Sequence, residues 1–331
     1  MTPEDFLVIT INTITNIIGI TFNLLLICAI IANRVKYVRL YSYVLLNFAL
    51  TDLGGCFAAL FTQIRLVPIG YSAIYLSSGI CGVFGGTGCI IGYSILIHFY
   101  AHCLWSLLIS FLFRYAALFH DKWLSKCRVL GIIFFFYSFS FIQCIQLPFA
   151  NSDQEVLTQT FLNKFPGYNL TYHTISGHIN VLSWGVLPAM LHMTVPVTPV
   201  YIIIICLRRS IVNGLKNVAI SESAKRMHSQ LLQAITLQAV LPAIYVIPVL
   251  FFVLRQTGIV DSSVLEYMIL PVFGLIPIAS PLITLHYVKP YNRWTKRFMT
   301  CKRGEIDTTG SSKEHAASHR DPKEGTSTRR F

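Results

Sequence analysis

His98, His102, His192, Asp52 and a scatter of hydroxyls are groups with chemical reach in the apolar stretches of this 331-residue chain. His98 and His102 lie four apart in "YSILIHFYAHCLW" and so share one helix face. A zinc site would need a third ligand and an open or charged position, and His192 is the one candidate. The simpler reading has these histidines bonded to neighbouring helices or facing a partly wet cavity. No metal and no other cofactor is expected. The nine cysteines contain no CxxC pair and no His–Cys cluster of zinc spacing. HExxH, GxSxG and P-loop patterns are absent, as are paired intramembrane acids. The expectation is a protein that is not an enzyme.

Asp52 stands inside the apolar run "VLLNFALTDLGG". An ionisable group at mid-membrane costs on the order of 3 kcal/mol on insertion scales, so it should face the bundle interior and find a partner. At 1.5 Å per residue it lies roughly 14–18 Å from either end of its run. Asn23 and Ser280 fall at similar depth in other runs, and an interior polar cluster of Asn23, Asp52 and Ser280 would satisfy all three. The competing reading is a protonated acid bonded to a neighbouring carbonyl.

The elements that must position these groups follow from composition. The chain is 54% hydrophobic and only 12% charged, where a soluble domain is about a quarter charged. Seven windows, at 6–32, 40–61, 84–113, 129–147, 186–207, 231–254 and 266–287, approach or exceed the roughly 20 residues that span a bilayer. Continuous apolar runs exclude a β-barrel pattern, and the lack of polar outer faces excludes a soluble bundle.

Lys and Arg alternate between the connections. Three lie at 33–39, four at 114–128, five at 208–230 and eleven in the C-terminal tail, while 62–83, 148–185 and 255–265 carry one each. The positive-inside rule puts the N-terminus outside and the tail in the cytoplasm. The net charge of +12 thus reflects topology and not nucleic-acid binding. The acidic start "MTPEDF" lacks the basic region of a cleavable signal peptide. The sequon at Asn169 falls in the long outer loop 148–185, which reads as an irregular polar cap, and is a glycosylation candidate. Cys81 and Cys89, with Cys144, lie near the outer face, where disulfides can form.

The expected fold class is all-α: an integral membrane seven-helix bundle, N-terminus outside, with a short amphipathic eighth helix and a disordered cytoplasmic tail. Residues 1–287 form the seven-transmembrane domain, 288–301 the amphipathic juxtamembrane helix and 302–331 the tail. "KPYNRWTKRFMTC" places Tyr291, Trp294, Phe298 and Met299 at helical spacing among cations, and Cys301 at its end is a candidate palmitoylation site. Prolines at 196, 199, 242, 248, 271, 277 and 281 favour kinks in the later spans.

The motifs carry a resemblance. "NFALTDL" is similar to the second-helix signature of the rhodopsin class, Asn23 to its first-helix asparagine, and Phe113-Arg114-Tyr115 to its D-R-Y with Phe in place of the acid. Cys89 lies 25 residues before Arg114, where that class keeps its third-helix cysteine. Departures are plain: the outer loop lacks the partner cysteine, span four has no tryptophan, Val240 stands where a tryptophan would precede Pro242, and span seven reads "SPLITLHY". "LYSYVLLN…FTQIRLVP", "MHSQLLQAITLQAVLPAIYVIP" and "SPLITLHYVKPYNR" resemble the nematode serpentine receptor class delta family.

That resemblance implies a G-protein-coupled chemoreceptor. It would sit in the plasma membrane, in the sensory cilia of chemosensory neurons. It would bind an external small molecule and signal through a heterotrimeric G protein near Arg114 and Tyr115. In the rhodopsin class the Asp52 position holds a sodium ion and helps couple ligand to cytoplasmic opening; here Ser280 replaces one partner. Depth alone nominates Tyr93, Ile97, Tyr100, His192, Gln238 and Tyr245 as cavity residues. Span three has no acid to anchor an amine, which favours a neutral or weakly acidic volatile or lipid-like ligand. The alternative is a small-molecule transporter or ligand-gated channel, against which stands the lack of a visible internal repeat.

Overall fold

The computed structural model describes residues 2–33, 40–217, 222–241, 246–260 and 262–300. The first helix, α1 (Pro3–Ala32), opens with a capping box in which Thr2 and Asp5 satisfy each other's backbone donors, with Pro3 in the first turn. The second, α2 (Tyr41–Thr62), ends on Gln63, whose left-handed φ of 44° turns the chain out of the helix. The third, α3 (Gly85–Phe119), has 35 residues and is about 52 Å long. It runs six residues past the expected end of its window because "YAALF" has good helix formers and no stop signal. It is the central rod, packed on α2, on α4 (Lys126–Phe149) and on α7 (Val197–Asn217).

Among the described residues, six helical stretches are long and apolar enough to cross a membrane: Pro3–Ala32, Tyr41–Thr62, Ile80–Phe119, Lys126–Phe149, Leu187–Leu215 and Val264–Tyr287. The remaining expected window, 231–254, is covered by α8 (Glu222–Gln238) and α9 (Val246–Gln256), with 242–245 outside the described residues. Proline divides the later spans. Pro196 lies in the break between α6 (Leu187–Thr194) and α7, and Pro271 and Pro277 flank the break between α10 (Ser263–Phe273) and α11 (Ile276–Tyr287). A further helix, α12 (Lys289–Met299), follows; it buries Tyr291 and packs Trp294 on the core. Phe134, Phe135, Ile142 and Ile145 stand exposed on α4, an outward apolar face that suits lipid and not water.

One end of the bundle carries an ordered cap where an irregular one was expected. β1 (Ile64–Ile69) and β2 (Ser72–Ser77) form a hairpin that turns at Gly70, φ 56°. β3 (Thr174–His178) comes from the long connection after α4 and pairs antiparallel with β2, giving the order β1-β2-β3. The short helix α5 (Gln154–Lys164) packs Leu157 and Phe161 against Val67, Ile74 and Leu76 of the hairpin. Gly177 lies so close to β2 that a Cβ there would meet the Ala73 carbonyl at 2.3 Å. A disulfide joins Cys81 to Cys89 at the first turn of α3. The helical bundle therefore keeps its expected class, with a small sheet added at the capped end. The opposite end, where α3 meets α4 and α7 approaches α8, is the basic end.

Candidate functional site

The capped half of the bundle encloses a cavity of about 140 Å³. Its floor and walls come from α3, α6, α9 and α10, and its roof from Leu66, Ala73 and Tyr75 of the hairpin. No charged side chain lines it among the described residues, and its hydroxyls are those of Tyr75, Tyr93 and Thr194. Tyr75 and Tyr93 stack at 4.2 Å and hydrogen-bond each other. Burial first, then the neighbouring Tyr93 hydroxyl, holds the Tyr75 phenol well above its usual range, so it stays neutral.

Above the cavity an ion-pair network ties five segments together. Arg65 on β1 donates through Nη2 to Glu266 Oε2 at 2.8 Å and through Nη1 to Asp5 Oδ1 at 3.2 Å. Arg255 donates through Nε to Glu266 Oε1 at 2.7 Å. Tyr267 donates to Asp5 Oδ1 at 3.1 Å, and its ring lies 4.0 Å from the Arg65 guanidinium carbon. Tyr168 donates to the other oxygen of Asp5, and His173 Nε2 sits 3.6 Å from it. Burial alone would weaken the Arg65 cation, but Tyr267 and the Glu266 carboxylate raise its pKa above the ordinary value. Pairing on this scale offsets the desolvation of charges this deeply buried.

The nominated cavity residues separate. Tyr93 and Ile97 line the cavity. Tyr100 sits deeper, stacked 5.0 Å from Phe273 and beside Asp52. His192 is turned to the α3–α4 seam, where it accepts from Trp105 Nε1 at 3.2 Å and meets Gln143 Oε1 at 3.1 Å. Gln238 belongs to the polar interior: its Nε2 reaches the Ser280 carbonyl and hydroxyl at 3.1 and 3.2 Å and Thr284 Oγ1 at 3.0 Å. Tyr245 lies outside the described residues. The histidine pair on α3 gathers no metal set. His102 Nε2 meets Asn47 Oδ1 at 3.1 Å, and His98 packs edge-on against Tyr137 and Phe141. No group of three potential ligands occurs among the described residues.

Asp52 and Ser280 do meet, the serine hydroxyl bonding the carboxyl. Asn23 of α1 reaches the same helix about one turn away, donating to the Pro277 carbonyl of α11 at 2.8 Å. The seam therefore runs Asp52–Ser280–Gln238–Thr284 across α2, α11 and α8, with Asn23 at its edge. Depth alone assigned Gln238 to the ligand cavity and not to this seam, though a lone amide in "LLQAITLQ" on an otherwise apolar face also needs a polar partner. Oδ2 of Asp52 has no partner among the described residues and adjoins a void of about 10 Å³, the lower limit for one water.

Towards the basic end, Arg114 is buried with its guanidinium carbon 4.1 Å from the Tyr41 ring centroid, and its Nε and Nη2 lack partners among the described residues. The Phe113 ring leans on Tyr41 at 5.4 Å, and Tyr41 Oη shares a hydrogen bond with Ser110 at 2.9 Å. Where an acid would have paired with the arginine, an aromatic face holds it. Tyr115 stacks on Phe119 at 4.9 Å. Asn169 is exposed at the capped end with its Oδ1 accepting from Thr171, and Cys301 lies outside the described residues.

Comparison with known proteins decides the family. Residues 8–297 match the profile described as serpentine type 7TM GPCR chemoreceptor Srd. This chain belongs to the Srd family. It is similar to serpentine receptor class delta-18 of Caenorhabditis elegans, 35% identical over 289 residues that cover 86% of each chain. Class delta-19 of the same organism is also 35% identical, across 86% of this chain and 85% of its own. Class delta-1 is 30% identical across 85% and 78%. An Srd protein is a GPCR-type chemoreceptor of the membrane, a receptor family and not an enzyme family, and the long apolar helices fit a multi-pass placement. In Srd terms, the cavity under the sheet and the buried arginine near the basic end are the two places where a receptor's input and output would be sought.

Proposed function

We propose that this Srd protein is a G-protein-coupled chemoreceptor whose capped end faces outside and whose cavity under the sheet takes a small, neutral, mostly apolar molecule. The observation that carries the reading is the cavity itself: about 140 Å³, dry-walled and free of charge among the described residues. Its size matches the roughly 150 Å³ apolar cavity that in another protein binds benzene. An amine would find no counter-ion there. Tyr93 and Ile97 touch the ligand, and Tyr75 covers it.

Ligand acts by favouring one arrangement of the bundle, since only a differential affinity can shift an equilibrium. The segmented helices α6–α7 and α10–α11 link cavity to interior: Phe273 lines the cavity and stacks on Tyr100, which adjoins Asp52. At the basic end, release of Arg114 from Tyr41 exposes a surface for the G protein, with Tyr115 beside it. The charge alternation supports a cytoplasmic basic end and, with it, an outside Asn169 open to glycosylation; membership of the Srd family supports a plasma-membrane placement in sensory cilia, and the juxtamembrane position of Cys301 supports acylation there.

The test is a panel of small volatile ligands read by G-protein activation in cells, with Arg114→Ala and a G-protein-null background as controls. Neutral ligands should activate and amines should not, and Arg114→Ala should abolish the response. Solute uptake or current from the purified protein without G protein would overturn the reading.

A further inference from the structure

A second and larger cavity, about 310 Å³, opens near the basic end between α3 and α4. Leu112, Phe113 and Ala116 of α3 form one wall, and Val129 and Ile132 of α4 the other. Trp123 and His120 stand at its rim in the short connection between the helices. It reaches the lower end of the size range of ligand pockets, roughly 300 Å³. It shares Phe113 and Tyr115 with the surroundings of Arg114, and no ligand has been assigned to it above.

We propose that this groove binds an anionic phospholipid, with an acyl chain against Leu112, Ala116 and Ile132 and the phosphate beside Lys122 and Arg128. Charge complementarity selects this occupant. Lys122, next in the chain to the rim residue Trp123, and Arg128, bonded to it, are exposed, and so is Lys126, whose Nζ lies 5.5 Å from the Tyr43 ring centroid of α2. Against them the connection 114–128 holds one acid, Asp121. Arg128 is held over the mouth: its Nη1 donates to the Trp123 carbonyl at 2.7 Å, and its guanidinium carbon lies 5.5 Å from the Trp123 ring centroid. A guanidinium has five N–H donors, so the carbonyl leaves most of its donor capacity for an anion.

Two further observations agree. Lys126 and Arg128 occupy the first turn of α4, where no acid sits and the helix dipole adds to their positive charge. An exposed Trp beside Lys and Arg is the composition of a membrane–water interface. The walls below are apolar, and Phe134 and Phe135, a little further along α4, are exposed. A soluble partner would have to displace lipid to reach it. Occupancy would also brace Phe113 against Tyr41, the residue that holds Arg114.

The inference uses the membrane placement of the basic end and is independent of what the capped cavity binds. The test takes the purified full chain in detergent and compares retention of phosphatidylglycerol and phosphatidylcholine, of identical acyl chains, by native mass spectrometry. With two rim cations near the phosphate, wild type should favour phosphatidylglycerol on the order of twentyfold. Lys122→Gln with Arg128→Gln should reduce that preference to within about twofold. The same change at Arg208 and Arg209, exposed cations on α7, should leave it intact. Phosphatidylglycerol with a diazirine on its acyl chain, used on the unmutated chain, should label Leu112 and Ile132 above all other sites. Equal retention of the two lipids by wild type would overturn the proposal. So would labelling spread over Phe134 and Phe135, which marks ordinary annular lipid only.

Discussion

The two ends of the molecule handle buried arginine in opposite ways. At the capped end Arg65 and Arg255 share the Glu266 carboxylate, and Arg65 also reaches Asp5, so every segment around them is tied by opposite charge. Near the basic end Arg114 is as deeply buried but rests on the face of Tyr41, with Nε and Nη2 lacking partners among the described residues. An ion pair that took several kcal/mol of desolvation to assemble does not exchange partners readily. A cation on an aromatic face contributes about 2 kcal/mol or less and leaves donors ready for another acceptor. The difference divides the receptor into a fixed cover over the ligand cavity and a loosely held cation where the output would form.

The largest expected effect breaks the fixed end. Glu266→Gln leaves two buried guanidinium groups without their shared carboxylate and should cost about 3–5 kcal/mol. Thermal unfolding of the purified receptor should fall accordingly, and Glu266→Met combined with Arg255→Met should recover part of the loss. An unchanged melting temperature for Glu266→Gln would remove the contrast between the two ends.

Next in size, Tyr41→Leu takes away the surface on which Arg114 rests, worth about 2 kcal/mol when desolvated. Ligand-free nucleotide exchange on the G protein should rise. Phe113→Asp, which supplies the missing acid beside Arg114, should lower it below wild type. If the two variants shift basal exchange in the same direction, the aromatic face is not the restraint.

A smaller change is expected at Asp52→Asn. The amide keeps the shape and the bond to Ser280, so stability should move by no more than about 1 kcal/mol, while ligand-driven exchange should weaken. Unchanged signalling together with unchanged sodium sensitivity would leave Asp52 as packing.

The smallest effect concerns the cap and pH. Burial lowers the pKa of His178 below its ordinary value, against the opposing hydrogen bond to the Ala150 carbonyl. The unfolded chain therefore takes up the proton first. Cap stability is complete above about pH 6.5, the ordinary histidine value, and declines as the pH falls through it. Hydrogen exchange of the β3 amides should accelerate between pH 7 and pH 5.5, and His178→Gln should flatten that response.

Much of this arrangement was legible in the chain and part was not. The spans were, because an apolar helix announces itself over twenty consecutive residues. Asp52 and Ser280 were also legible, since a carboxyl in such a run must find a partner at its own depth. The sheet was not: β2 and β3 are separated by nearly a hundred residues, and "TISGH" is too short for a period to show. The hairpin did leave a trace in β-branched residues around "PIGYS". Arg65 and Arg255 read as single exceptions to the charge alternation. Their meaning lay in the acids on the same side, Asp5 and Glu266, which the fold brings to them from the two ends of the chain. His192 was nominated by depth, but depth does not give the direction a side chain faces.

The central claim is that ligand enters the cavity under the sheet and is read at Arg114. Ala189 is buried in that cavity's wall, and Ala189→Trp fills the space without touching the ion pairs above it. Ligand-driven nucleotide exchange, measured with receptor and G protein reconstituted together, tests this directly. The account predicts that Ala189→Trp loses the ligand response while keeping the basal exchange of wild type and the raised basal exchange conferred by Tyr41→Leu. A full ligand response from the filled cavity would contradict it.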